Sequence, residues 1–162
     1  MPRRWVRVES VRLRFAAAHM ATFRGDCEPL HGHNYELRVE AHGELTEDSW
    51  VQDFGLLKAI AREICEELDH RFLLQRGSRI LQIVEHEDQW EVWFGVRPHY
   101  WLPKADVLAL PVDNTTSERL AEWICGRLRG RLDGEGVANV QRLRVGVEEM
   151  PGQSGWYEED ER

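Results

Sequence analysis

Two histidines separated by one glycine, His31 and His33, follow Cys27 closely in the stretch "CEPLHGHNY". In an extended strand successive side chains alternate between faces, so residues at i and i+2 point the same way. The run from His31 to Ala41 keeps that period, with His31, His33, Tyr35, Leu37, Val39 and Ala41 on one parity and Asn34, Glu36, Arg38 and Glu40 on the other. Both imidazoles are therefore expected on the inward, apolar face. His19 shares the parity of Val11, Leu13 and Phe15 in an earlier alternating segment and stands at its end, where it could complete a trio. Neutral imidazole suits Zn2+, and three protein ligands with an open fourth position is the catalytic rather than the structural arrangement. The competing reading makes all three ordinary core or hydrogen-bonded histidines; an "HGH" on an apolar face beside a cysteine favours the metal.

The remaining reactive side chains are more ambiguous on their own. Cys27 is flanked by Asp26 and Glu28, and neighbouring carboxylates raise a thiol pKa rather than lower it. Its local sequence therefore does not make it a nucleophile. Cys65 and Cys125 fall on helical apolar stripes and read as core residues. Asp69 and His70 close a helix as "LDH", where a histidine is commonly a favourable contact with the helix dipole. Glu149 shares its parity with Leu143, Val145 and Val147, an unfavourable place for a carboxylate unless it has a partner. His42, His86 and His99 read as ordinary polar residues, and Arg24 as a surface arginine.

The elements that position these residues can be sketched from periodicity. Strands are expected over "VRLRF", "HGHNYELRVEA" and, last in the chain, "VQRLRVGVEEM". Phe54, Leu57, Ile60, Ala61, Ile64, Cys65 and Leu68 recur at helical spacing after Asp53, a good N-cap. A second helix is expected in "NTTSERLAEWICGRL", with Thr115 and Glu118 as a capping box, Leu120, Ala121, Trp123, Ile124 and Leu128 as its stripe, and Gly130 or Gly134 as its end. About 40 residues between the helices read as a β-hairpin or pair of strands bounded by Pro103 and Pro111. Residues 158–162 read as a solvated tail.

At 162 residues and 42% hydrophobic content the chain is expected to form one domain, 1–162. A formal charge of −8 argues against a nucleic-acid partner. The absence of an 18-residue apolar run or a leader-like start argues against membrane insertion or secretion, so a cytoplasmic location and free thiols are expected.

In order along the chain, "AAAH", "CEPLHGHNY", "DF", "LDH", "NTTSE" and "VEEMPGQSGWY" resemble the 6-pyruvoyl-tetrahydropterin synthase and 6-carboxy-tetrahydropterin synthase family, from about Val11 to Tyr157. The resemblance implies an α+β tunnelling-fold (T-fold) subunit: a four-stranded antiparallel sheet with two antiparallel helices on one face, here with an extra hairpin insertion at about 76–113. It implies a zinc ion on His19, His31 and His33, Cys27 as general base, Asp69 and His70 as its relay, and Glu149 gripping the pterin ring. It further implies ring-shaped homo-oligomers, usually hexamers, with sites at subunit interfaces, and 7,8-dihydroneopterin triphosphate as substrate. The carboxy-forming branch yields 6-carboxy-5,6,7,8-tetrahydropterin and acetaldehyde on the route to queuosine, and is the expected activity.

This sequence departs from the family pattern in its long segment between "LDH" and "NTTSE" and in Met150, where threonine is usual. Relatives with "E-x-x-H-G-H" use a glutamate and cleave dihydroneopterin side chains to 6-hydroxymethyl-dihydropterin for folate. With Cys27 and Glu28 both present, Glu28 is an alternative catalytic residue; the pyruvoyl product and a non-catalytic zinc-containing pterin binder are the other readings.

Overall fold

Alternating apolar residues build two long strands, β1 (Trp5–His19) and β4 (His31–Gly43). They pair antiparallel, with Phe15 opposite Tyr35, Ala17 opposite His33 and His19 opposite His31. Residues 3–160 are described by this computed structural model. Between the two strands lie β2 (Thr22–Phe23) and β3 (Asp26–Cys27), which pair only with each other. There follow α1 (Phe54–Leu68), β5 (Arg71–Gln75), β6 (Leu81–Glu85), β7 (Gln89–Phe94), β8 (Arg97–Pro103), β9 (Val107–Leu110), α2 (Ser117–Gly134), β10 (Val140–Met150) and β11 (Gln153–Glu158).

The main sheet has six strands in the order β11-β10-β4-β1-β5-β9, where four were expected. The four antiparallel strands are β11, β10, β4 and β1. The other two, β5 and β9, extend the sheet by parallel pairing. Parallel neighbours cannot be joined by a tight turn, so strands of five and four residues carry no hairpin signal in sequence. The hairpin expected in the insertion is instead a separate three-stranded meander, β6-β7-β8, after which β9 returns to the main sheet. "VQRLRVGVEEM" is not the last strand: the chain turns at Gly152, whose φ of +82° suits glycine, and returns as β11.

Both helices pack on one face of the sheet. Leu57, Ile60, Ile64 and Leu68 of α1 and Leu120, Ile124, Leu128 and Leu132 of α2 meet Leu13, Phe15, Leu37, Val39, Val145 and Val147 in one buried cluster, which also holds Cys65 and Cys125 as expected. Asp53 caps α1 by accepting the Leu56 N–H at 2.7 Å. The cap of α2 is Thr116, not Thr115: Thr116 accepts from the Arg119 N–H, while Thr115 is fully buried. A second apolar cluster joins Met20, just past β1, to Phe72 and Leu74 of β5 and to Leu81, Trp90 and Val92 of the meander. The insertion thus forms a wall beside the β2–β3 turn, and Cys27 packs against it.

The expected solvated tail is also corrected. Glu158 ends β11 and pairs with Arg142 at 2.8 Å, and Glu159 accepts from the buried Arg129 and from the Leu143 N–H. Residues 161 and 162 of that tail lie outside the described residues. No helix among the described residues is long and apolar enough to cross a membrane.

The other face of the sheet is an array of ion pairs. Glu40, with only 3% of its side chain exposed, accepts from Arg7 at 2.6 Å and faces Arg144 at 3.4 Å. Burial alone would raise its pKa, but the Arg7 hydrogen bond and the Arg7 and Arg144 charges outweigh it and hold the carboxyl below its ordinary value. A depressed carboxylate stabilises the fold above its unfolded pKa of about 4.3 and loses that contribution as pH falls through its folded value. Glu40→Gln should therefore lower stability near neutrality by about 1–2 kcal/mol, discounted for the half-exposed Arg7. The difference from wild type should shrink below about pH 4 in denaturant titrations.

Candidate metal centre

The β1–β4 register carries two imidazoles to the same end of the sheet, with His19 directly opposite His31. His33, two residues along β4, lies on the same face, and ligand atoms of the three histidines come within 4.8 Å of one another. Ring centroids are 4.6 Å apart for His19–His31, 4.9 Å for His31–His33 and 5.3 Å for His19–His33. The trio expected from sequence is therefore assembled within one chain.

Hydrogen bonds fix which nitrogens are available. His19 Nδ1 lies 2.9 Å from the Thr115 carbonyl, and His31 Nδ1 lies 2.8 Å from the Pro29 carbonyl. A carbonyl can only accept, so both Nδ1 atoms carry hydrogen and both neutral rings present an Nε2 lone pair. Those two Nε2 atoms face each other at 3.1 Å. Two lone pairs so placed repel unless a cation lies between them. Nitrogens bound at ~2.0–2.1 Å to one tetrahedral ion would stand roughly 3.3 Å apart, so the spacing suits a shared metal. Burial drives the His19 pKa down to about 4, keeping that ring neutral near pH 7. The Thr115 hydroxyl, 3.2 Å from His19 Nδ1, adds to the outer support that orients a ligating imidazole.

Tyr35 continues the inward face of β4. Its ring stacks on Phe15 at 4.7 Å, lies 5.3 Å from His33, and carries a buried hydroxyl without a hydrogen-bond partner. The β10–β4 register, which pairs Glu148 with Glu36, brings Glu149 beside Tyr35. Burial raises the Glu149 pKa; the nearby His33 acts against that shift, and Glu118 and Glu28 reinforce it. Glu149 is thus a half-buried acid within electrostatic reach of the trio, while Met150 beyond it is exposed.

Cys27 sits on β3, partly buried, and its thiol donates to the Glu28 carbonyl at 3.5 Å. Burial, then the Asp26 and Glu28 charges, push its pKa up. Asp69 and His70 form a separate dyad. Asp69 Oδ2 accepts from His70 Nδ1 at 2.7 Å, and Asp69 Oδ1 accepts from the Ala16 N–H at 2.7 Å. His70, at φ +55°, donates its backbone N–H to the Ala16 carbonyl, so both residues are pinned to β1. No hydrogen bond among the described residues joins this dyad to Cys27. Its exposed ring instead borders an open cleft of about 480 Å3 that is also lined by His33, Asn34 and Arg71.

A family model described as 6-pyruvoyl tetrahydropterin synthase matches residues 9–160. The chain belongs to that family. Among its relatives, a Methanocaldococcus jannaschii protein provisionally named 6-carboxy-5,6,7,8-tetrahydropterin synthase is 34% identical over 146 residues, covering 90% of this chain and 89% of that protein. The Pyrococcus furiosus dihydroneopterin monophosphate aldolase is 30% identical over 134 residues, 83% of each chain. The fold matches Plasmodium vivax 6-pyruvoyltetrahydropterin synthase with a TM-score of 0.91 at 30% identity, covering 99% of both chains. That protein has been solved with a catalytic glutamate replaced by alanine or by cysteine. Because coverage is nearly complete, the meander lies within the shared fold.

Thr115 was hidden in sequence behind its reading as a helix cap. If the trio holds a metal, titrating metal-free protein with Zn2+ should raise its thermal midpoint by several degrees. Zinc at about 100 times its Kd corresponds to roughly 2.7 kcal/mol. A chelator should reverse the shift, and His33→Ala should lose most of it in the same melting assay.

Proposed function

We propose that this chain is a zinc-dependent 6-carboxy-5,6,7,8-tetrahydropterin synthase. It would convert 7,8-dihydroneopterin triphosphate to the carboxy-tetrahydropterin, acetaldehyde and triphosphate, for queuosine and other 7-deazapurines in the cytoplasm. The observation that carries this reading is the pair of opposed Nε2 lone pairs of His19 and His31, with His33 and the half-buried Glu149 beside them. The names of relatives such as the Methanocaldococcus protein support the product.

Zinc on His19, His31 and His33 would supply Lewis acidity toward the hydroxyls of the substrate side chain. Glu149 would accept from the 2-amino group and ring N–H of the pterin, a bidentate charge-assisted pair that offsets the burial of its carboxylate only when ligand is present. Cys27, as thiolate, would remove the carbon-bound proton beside the hydroxyls. Within one subunit the thiol is held protonated by burial and by acidic neighbours. Asp69 holds the Nδ1 hydrogen of His70, which leaves an exposed Nε2 to accept a proton. In a homo-oligomer, a hexamer in this reading, that nitrogen would serve Cys27 of an adjoining subunit.

A second reading uses Glu28 to cleave the dihydroneopterin side chain to 6-hydroxymethyl-dihydropterin. It is favoured by the catalytic glutamate of the Plasmodium relative and by the aldolase name of the Pyrococcus relative.

Zinc-loaded protein incubated with dihydroneopterin triphosphate should release carboxy-tetrahydropterin and acetaldehyde, identified by mass spectrometry. Cys27→Ala should lower that turnover by about 10²-fold or more, the usual worth of a general base, with zinc content retained. Hydroxymethyl-dihydropterin that disappears in Glu28→Gln would overturn the carboxy reading in favour of the second.

A further inference from the structure

Cys27 is carried on the smallest element of the fold. β2 and β3 contribute two residues each, pairing Thr22 with Cys27 and Phe23 with Asp26. The two-residue connection, Arg24 and Gly25, has φ of +52° and +82°, the double positive φ of a type I′ turn. A lone two-stranded hairpin is marginal in water even when longer than this, and this one joins neither the main sheet nor the meander. Something other than strand pairing must hold it in place.

The side chain of Asn114 stands where a third strand would. Its Oδ1 accepts the Thr22 N–H at 2.9 Å and its Nδ2 donates to the Thr22 carbonyl at 2.8 Å, so one side-chain amide satisfies the main chain as a neighbouring strand does. The same Oδ1 accepts the Thr115 N–H at 3.0 Å. Thr115 in turn offers its carbonyl and hydroxyl to His19 Nδ1. One amide thus links the residue opposite Cys27 to the residue that orients a metal-site imidazole.

We propose that Asn114 is a positioning residue that sets the Cys27 hairpin and the His19 ring in a fixed relation to each other. The proposal rests on the reading of Cys27 and the three histidines as one site. Other contacts hold the ends of the loop, with the Glu28 N–H donating to the Ala21 carbonyl at 2.9 Å and buried Gln75 donating to the Met20 carbonyl at 2.6 Å. Asn114 alone among these reaches both the hairpin and the support of His19.

The test uses the full chain and does not depend on turnover. Cys27 alkylation by iodoacetamide is followed by peptide mass spectrometry, with the buried Cys65 and Cys125 as internal reporters of global opening, and zinc affinity is measured against a chromophoric chelator. In Asn114→Ala, Cys27 should be alkylated several-fold faster and zinc should bind about 10–100-fold more weakly, the usual effect of losing an outer support. Cys65 and Cys125 should remain protected. Asn114→Asp keeps an oxygen for the Thr115 N–H but replaces the donor to Thr22 with a second acceptor. It should recover most of the zinc affinity while Cys27 stays fast. Unchanged alkylation and zinc affinity in Asn114→Ala would overturn the proposal, as would Cys65 and Cys125 reacting in step with Cys27. A failed product assay on wild type would instead count against the proposed reaction and leave these readouts intact.

Discussion

The antiparallel register between β1 and β4 is the constraint on which the rest of the site depends. It sets His19 opposite His31 and Phe15 opposite Tyr35. Because side chains alternate with a period of two, a slip of one residue would turn one strand's side chains to the opposite face and separate these pairs. The large apolar cluster under α1 and α2 makes such a slip prohibitive, since either Leu13 and Phe15 of β1 or Tyr35, Leu37 and Val39 of β4 would leave it. Core burial therefore fixes where the histidines fall along the strands, and the Thr115 and Pro29 carbonyls orient the rings of His19 and His31.

Around that frame the acidic groups divide by environment. Glu40, on the ion-paired face, is held ionised by Arg7 and Arg144 despite its burial. Glu149, on the inward face, is raised by burial, which the nearby His33 offsets only in part. Cys27 has the same problem, because burial and its two acidic neighbours favour the thiol. The Asp69–His70 dyad is pinned to β1 with its imidazole exposed.

Sequence periodicity captured the elements whose side chains obey one rule. β1, β4, β10, the Asp53 cap and the parity of the three histidines and Glu149 all follow from alternation or helical spacing. What it missed depended on partners distant in the chain. β5 depends on β1 for its parallel neighbour, and β9 in turn on β5. Thr115 reads as a cap in isolation, but His19, 96 residues away, claims its carbonyl and hydroxyl and leaves capping to Thr116. Glu159 reads as tail until Arg129 is found beneath it. The β2–β3 turn is too short for any periodic signal, although it carries Cys27.

We propose that His19, His31 and His33 together hold one zinc ion, with Cys27 unligated. Zinc-edge X-ray absorption on the zinc-loaded wild-type protein tests it most directly. The account predicts one zinc per chain, a first shell of nitrogen and oxygen at ~2.0–2.1 Å with imidazole outer-shell scattering, and no sulfur. A sulfur scatterer at ~2.3 Å would put a cysteine on the metal and contradict the assignment of Cys27 as a base. A chain that retains no stoichiometric metal would contradict the centre itself.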